Sequence, residues 1–223
     1  MEILRQDHYN VIHLTDGKSI GEAVKLLNDK KADGINFNFT KNFPEDLQDI
    51  KTAPGLKYVQ INDYTRHFDY SVINGLTQLE HISIYTSDKK EIPFNLFPNL
   101  KSVAVFWRPK ANSLFGCVNL EKLFLGKYTD ADLTKLSGLI NLKYLRLNTG
   151  AVKSLKGIES IKHLETLMLT QNTKLEDLSG IECLANLTQL RIENCKNIKN
   201  IHLLKELSSI KTLELLGTTP RLN

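Results

Sequence analysis

The chain has 223 residues, with 29 lysines and arginines against 25 aspartates and glutamates and a formal net charge of +4. So balanced a charge, without basic runs, is not typical of proteins that bind nucleic acids or membrane surfaces, and no apolar stretch reaches the roughly 20 residues of a membrane helix. The N-terminus is charged and shows no signal peptide. The three cysteines form no CxxC pair, so neither a disulfide framework nor a zinc site is expected. Together these features favour a reducing cytoplasm.

The first 33 residues predict a strand followed by a helix. The strand is the segment VIHL. The helix begins with a capping box, Ser19 with Glu22 three residues later, and apolar residues then follow at helical spacing. Gly34 is expected to end this helix, and INFNF at residues 35–39 is expected to form the next strand.

From residue 56 onward the pattern L-x-x-L-x-L occurs eight times. The copies are 20 to 23 residues apart and begin at Leu56, Leu79, Leu100, Leu120, Leu142, Leu164, Leu187 and Ile210. Between the later copies, apolar residues recur at every third position, which keeps one face of a 3₁₀ or short helical turn apolar. Because one unit cannot cover its own apolar residues and stacked units can, the repeats predict a solenoid with a parallel sheet.

These residues resemble the leucine-rich repeat family over roughly residues 34–217. LETLMLTQN and LTQLRIENC match its motif L-x-x-L-x-L-x-x-N/C in full, with Asn172 and Cys195 in the last position. The repeat length of 22 to 23 residues resembles the bacterial internalin-like class. The resemblance implies an α/β leucine-rich repeat solenoid, with a parallel β-sheet on the concave face and short helical or 3₁₀ turns on the convex face. We expect an N-terminal cap over 1–33, the solenoid over 34–217 and a tail over 218–223.

Other copies depart from the family motif. The N/C position is held there by Tyr64, Ser87, Arg108, Tyr128, Gly150 and Thr218, so the side-chain ladder is expected to be mostly missing. Spacings of 20 and 21 around Leu100 predict a local distortion, and Pro109 must break the chain direction.

Two segments suggest ligand chemistry, but neither requires it. Residues 17–19, Gly-Lys-Ser, precede a helix as in a P-loop, but Ile12 stands where that motif needs its first glycine, so a turn and an N-cap are expected. Asp63, His67 and Asp69 could ligate a metal, yet ordinary loop composition explains them equally well.

The cysteines do not indicate catalysis. Cys183 lies in an apolar helical row and Cys195 at the motif's own cysteine position, so both are expected to be buried structural thiols. No serine lies in a G-x-S-x-G elbow. We therefore expect no enzyme, no catalytic residues, no cofactor and no metal.

The outward positions of the strands give the candidate binding surface. In L-x-x-L-x-L the leucines point inward, so the third, fifth and seventh positions face the concave side. The candidate partner-binding residues are Tyr58, Tyr85, Phe106, Phe124, Tyr144, Arg146, Met168 and Arg191. Protein interfaces are enriched in these residue types, although scattered exposed aromatic residues are common. We predict non-catalytic recognition of an unidentified protein through an aromatic-rich concave face.

Four questions stay open at this point. The partner could be an enzyme that the chain blocks as an inhibitor or antitoxin-like regulator. Lys122, Arg146 and Arg191 could instead bind nucleic acid, in which case affinity would fall steeply with salt. Trp107 could lie at the rim or be packed. The strand at residues 212–216 could support weak self-association, because unpaired strand edges invite pairing.

Overall fold

The computed structural model describes residues 1–15, 19–39, 47–63, 70–86 and 90–218. The chain divides into two compact units, residues 1–105 and 106–223, and the boundary lies where the repeat spacing is shortest. Within the described ranges, no helix is long and apolar enough to cross a membrane. The division into cap, solenoid and tail stays a prediction.

The first unit is built on six strands that neighbour one another in chain order. They are β1 (Glu2–Gln6), β2 (Tyr9–Thr15), β3 (Gly34–Phe39), β4 (Tyr58–Asp63), β5 (His81–Thr86) and β6 (Ser102–Phe106), whose last residue belongs to the second unit. β1 and β2 form an antiparallel hairpin, and each later pair is parallel. Helix α1 (Ile20–Asn28) joins β2 to β3. The 3₁₀ turns are Gln48–Thr52, Tyr70–Ile73 and Phe94–Leu96.

The predicted N-cap of α1 is present, and the predicted helix end is wrong. Ser19 accepts a hydrogen bond from the backbone N–H of Glu22 at 3.4 Å, as an N-cap does. α1 ends at Asn28, whereas Gly34 begins β3. A Cβ atom at Gly34 would lie 2.8 Å from the Cβ of Tyr58, so glycine is needed here for close packing between two strands.

The second unit continues the repeat with five parallel strands. They are β7 (Lys122–Gly126), β8 (Tyr144–Asn148), β9 (Thr166–Thr170), β10 (Gln189–Glu193) and β11 (Thr212–Leu216). The returning segments are 3₁₀ turns at Pro109–Gly116, Thr134–Gly138, Ile158–Ser160, Ile181–Cys183 and Ile201–Glu206. All eight predicted copies therefore contain a strand, and the predicted fold class is confirmed.

Leucine side chains between the strands and the turns form the core. Leu145 and Leu147 of β8 and Leu167 and Leu169 of β9 are fully buried, as the repeat pattern predicts. In the turns, apolar residues at every third position, such as Leu155, point into the same core. Each repeat thus buries the apolar residues of its neighbours.

A buried asparagine connects two repeats at the end of β9. The Asn172 amide donates to the carbonyl oxygens of Leu147 and Thr170 at 3.0 and 3.1 Å, and its Oδ1 accepts from the N–H of Gly150 at 3.1 Å. These bonds satisfy buried backbone groups that leave the sheet at this turn. Asn172, in the last position of the repeat motif, therefore has a structural role.

The ladder also extends further than the residue types suggest. The hydroxyl of Thr218 donates to the carbonyl of Ile192 at 3.2 Å and accepts from the N–H of Cys195 at 3.3 Å. A threonine hydroxyl can both donate and accept, so it substitutes for asparagine at this position. The expectation that Thr218 interrupts the ladder is wrong. Tyr64 and Ser87 lie outside the described residues.

Candidate functional site

We call the side of each sheet opposite the leucine core its open face. In the second unit, strands β7 to β9 place nine side-chain positions on this face in three aligned rows. The rows are Lys122, Tyr144 and Thr166; Phe124, Arg146 and Met168; and Gly126, Asn148 and Thr170. Neighbouring strands lie about 4.8 Å apart, so side chains within a row are in contact range. Four residues of the second unit, Phe106, Phe124, Tyr144 and Met168, are called the open-face patch.

Phe106 lies on the open face and rests on the next strand. A Cβ atom at Gly126 would come within 2.5 Å of the Cδ1 atom of Phe106, so the phenyl ring occupies the space above that glycine. The ammonium group of Lys127 lies 4.9 Å from the ring centroid, within cation–π range. These contacts hold the ring in place, and Phe106 remains partly exposed.

The centre of the patch carries a cation on an aromatic ring. The guanidinium carbon of Arg146 lies 5.1 Å from the ring centroid of Phe124. Beside it, the hydroxyl of Tyr144 donates to the sulfur of Met168 at 3.2 Å. All four side chains are partly exposed. The patch thus combines apolar area with a positive charge, the combination that interfaces favour.

Arg191 lies one strand further and is already paired within the chain. Its guanidinium contacts the carboxylate of Glu193 at 2.8 Å and that of Glu214 at 3.1 Å. A partner's carboxylate would have to displace these groups. Arg191 is therefore less available than Arg146.

The first unit covers one predicted site residue. Tyr58 is only 5% exposed, so the expectation that it faces solvent is wrong. Its ring stacks on His81 with centroids 4.0 Å apart, and Tyr9 packs against it at 5.4 Å. The β1–β2 hairpin brings Tyr9 to this position, and burial raises the pKa of Tyr58. Tyr85 is partly exposed, as predicted.

Polar side chains on the open face of the first unit bond to one another. The hydroxyl of Tyr58 donates to Gln60 at 2.8 Å, Gln60 donates to Asn62 at 3.3 Å, and Asn62 donates to Asn36 at 3.1 Å. Sequence reasoning missed this chain of bonds. Gly34, opposite Tyr58 on β3, was a signal that a large ring packs there.

Trp107 is packed and does not line the patch. It is 8% exposed, its indole N–H donates to the hydroxyl of Thr129 at 3.0 Å, and its ring contacts Phe115 and Tyr128 at centroid distances of 5.1 and 5.4 Å. Trp107 follows Phe106, the last residue of β6, and its packing gives it an environment different from that of Phe106.

The segments considered for ligands give no site within the described ranges. Across those ranges, no group of three or more histidines, cysteines, aspartates or glutamates could hold a metal ion. His67 and Asp69 lie outside the described residues. Gly17 and Lys18 do too, while Ser19 is the N-cap described above.

Two cysteines are shielded and one is exposed. Cys195 is buried, as predicted, and burial raises the pKa of its thiol. Burial also raises the pKa of Cys117 to about 11. Cys183 is exposed, which corrects the expectation of a buried thiol. Ile181 and Leu184 occupy the inward positions of that turn, and residue 183 lies off its apolar face.

Part of the chain resembles plant disease resistance proteins. No family model matches the chain. The disease resistance protein RFL1 of Arabidopsis thaliana is 34% identical over 85 residues, which cover 38% of this chain and 10% of that protein. The probable disease resistance protein At1g61300 of the same plant is 34% identical over 86 residues, covering 38% of this chain and 11% of that protein. The matched segment thus spans about a tenth of these relatives.

Solved structures resemble the chain over most of its length. The internalin inlF of Listeria monocytogenes str. 4b F2365 gives a TM-score of 0.60 at 20% identity, covering 85% of this chain and 56% of that one. Internalin C2 of the same strain gives a TM-score of 0.50 at 22% identity, covering 82% and 68%. These likenesses show the fold, which is the one that the repeat pattern predicts.

Proposed function

We propose that this chain, which has the leucine-rich repeat fold, recognises another protein, without catalysis, through the open face of its second unit. The observation that carries the proposal is the open-face patch, with Arg146 lying on Phe124 at its centre. Contiguous apolar side chains around an arginine are characteristic of the centre of a protein interface. Tyr85 is proposed separately, as a contact residue of the first unit by itself, and Tyr58 is not part of the proposed surface because its ring is buried.

The patch fits anchoring contacts. Phe106 and Phe124 are half-buried, so each ring loses little freedom when a partner covers it, and central aromatic residues often carry most of the binding energy. The surroundings hold them in place: Phe106 rests on Gly126, and Phe124 supports Arg146. Preorganised side chains reduce the entropy cost of association.

Two alternatives have different expectations. An inhibitor or antitoxin-like regulator would use the same patch, and the captured partner would be an enzyme that loses activity when bound. Nucleic-acid binding would rely on Lys122, Arg146 and Arg191, but the pairing of Arg191 with Glu193 and Glu214 reduces the positive charge available. A steep loss of affinity with salt would favour nucleic acid.

Self-association through β11, whose side chains are exposed, stays a secondary prediction.

The test is differential capture from an extract of the source organism. The bait is the full chain in three forms: wild type, the double variant Phe106→Ala/Phe124→Ala, and Lys156→Ala, an exposed residue beside the 3₁₀ turn Ile158–Ser160. Quantitative mass spectrometry compares the bound proteins. We expect a protein retained by wild type and by Lys156→Ala to be lost from the double variant. Equal capture by all three baits would contradict the proposal.

A further inference from the structure

We propose that Arg146 is a specificity-determining residue that binds the side-chain carboxylate of an aspartate or glutamate in the partner segment. A neighbouring apolar residue of that segment would pack on Phe124 and Met168, which flank Arg146 in register. This inference rests on the proposed function, because it names the chemistry that the open-face patch selects.

The first argument is the charge distribution around Arg146. None of the eight other positions in the three aligned rows is acidic. They hold Lys122, Phe124, Gly126, Tyr144, Asn148, Thr166, Met168 and Thr170. Within these three rows, a carboxylate would therefore meet the positive charge of Arg146 and no acidic side chain. Arg146 makes no ion pair within the part of the chain that the structure describes.

Arg191 provides a comparison within the same sheet, because neighbouring glutamates neutralise its positive charge. It lies one strand beyond Met168 on the fifth-position row, as Arg146 lies one strand before it. Glu193 on its own strand and Glu214 on the next strand both bond to it. The corresponding neighbours of Arg146 are Asn148 and Met168. The two arginines thus form a natural matched pair, one compensated and one not.

The second argument is the position of the guanidinium group. Its carbon lies 5.1 Å from the ring centroid of Phe124, and its Nε is shielded from solvent without a hydrogen-bond partner. Arg146 as a whole is partly exposed. A carboxylate can accept two parallel hydrogen bonds from an arginine, and an aromatic support holds the planar group ready for that geometry.

The third argument favours a carboxylate over a phosphodiester backbone. A protein surface that binds nucleic acid needs several available cations in a row, because each cation contacts one phosphate. The salt dependence of the affinity grows with the number of phosphates contacted. Here the row continues from Arg146 through Met168 to an arginine that two glutamates already neutralise. One uncompensated guanidinium with apolar neighbours matches a single acidic side chain next to an aromatic or aliphatic one.

The experiment is a selection of binders from a displayed library of random-sequence peptides on the full chain. Parallel selections use wild type, Arg146→Gln, Arg146→Glu, the matched control Arg191→Gln, and Phe124→Ala. Wild type is expected to enrich an aspartate or glutamate beside an aromatic or aliphatic residue. The Arg146→Glu chain is expected to enrich lysine or arginine at that position instead, because the charge preference is reversed.

Affinities of individual peptides then complete a double-mutant cycle. Arg146→Gln should raise the Kd of a selected peptide about tenfold, and the peptide's own Asp→Asn or Glu→Gln change should do the same, with little further loss when both are combined. Arg191→Gln should change the Kd by less than about threefold, since removal of a compensated charge frees no specific site.

The outcomes separate this inference from the proposed function. One outcome would overturn the carboxylate site and leave the open-face patch in place. In it, the selected peptides bind Phe124→Ala more weakly, contain no required acidic residue, and bind Arg146→Gln as well as wild type. Peptides that bind all variants equally, or a library that yields no binder to wild type, would overturn both. Equal dependence on Arg146 and Arg191 would overturn the assignment of specificity to Arg146.

Discussion

Phe106 and Trp107 are adjacent in the sequence and differ in burial. Because the indole of Trp107 is packed and hydrogen-bonded, Trp107→Ala should lower the free energy of unfolding by about 3–5 kcal/mol. Phe106→Ala should cost clearly less, because Phe106 is partly exposed. Urea unfolding of both variants measures this difference. Equal stability losses would contradict the packing described for Trp107.

The buried amide of Asn172 gives a second stability prediction. Asn172→Ala removes one acceptor and two donor contacts from buried backbone groups, and we expect a loss of about 2–4 kcal/mol. Asn186→Ala is the matched control, because its amide donates to a single carbonyl, that of Lys162, at an exposed site. Thermal melts of the two variants make the comparison. A control that melts as low as Asn172→Ala would show that the bonds at residue 172 are not special.

Asp177 gives a prediction for the dependence on pH. Its carboxylate accepts from the hydroxyl and N–H of Ser179 and from the amide of Asn200, and these bonds lower the pKa of Asp177 to about 2. A group whose folded-state pKa lies below its unfolded value of about 3.9 stabilises the fold above that unfolded pKa and loses the contribution as pH falls toward about 2. Asp177→Asn cannot ionise. The difference in free energy of unfolding between wild type and Asp177→Asn should therefore shrink as pH is lowered from about 5 to about 2. Urea unfolding at several pH values measures this difference. A difference that does not depend on pH would contradict this role of Asp177.

Single-residue burial was the part that the sequence could predict least. Tyr58 follows the outward pattern of its strand, yet Tyr9, almost fifty residues earlier in the chain, lies against its ring. Cys183 belongs to an apolar row in sequence and lies off the buried face in space. Both outcomes depend on long-range packing, which a local pattern does not contain.

At the scale of strands, the leucine pattern allows a matched test. Leu145 and Leu167 are fully buried, and alanine at either position should cost about 2–5 kcal/mol. Leu213 occupies the equivalent position on β11 and is 45% exposed, so Leu213→Ala should cost markedly less. Chemical denaturation of the three variants tests the repeat assignment. Similar losses at all three positions would contradict it.

Strand positions were predictable because the repeat period fixes them. Every copy of L-x-x-L-x-L contains the strand that the pattern predicts, and the capping box of α1 identifies its first turn. The role of Gly34 was not predictable in the same way. Its effect depends on which side chain of the neighbouring strand lies opposite, and that register is a property of the sheet.

At the scale of the whole molecule, the sequence predicts the fold. For the site, it identifies candidate residues but does not show which of them are available to a partner. The outward positions identify Arg146 and Arg191 as equivalent candidates. Their difference comes from Glu193 and Glu214, whose side chains reach Arg191. Because ion pairing depends on side-chain geometry, the sequence could place both arginines on the open face and could not say which one is available to a partner.

The central claim is that a partner protein binds the open-face patch. The most direct measurement is the Kd of the captured partner for wild type, Phe124→Ala and Lys156→Ala chains, with melting curves to verify folding. Phe124→Ala should raise the Kd about thirtyfold, the equivalent of about 2 kcal/mol for a central aromatic anchor, while Lys156→Ala leaves it unchanged. An unchanged Kd for a folded Phe124→Ala chain, with weaker binding by Lys156→Ala, would contradict the claim and place the interface beside the turns.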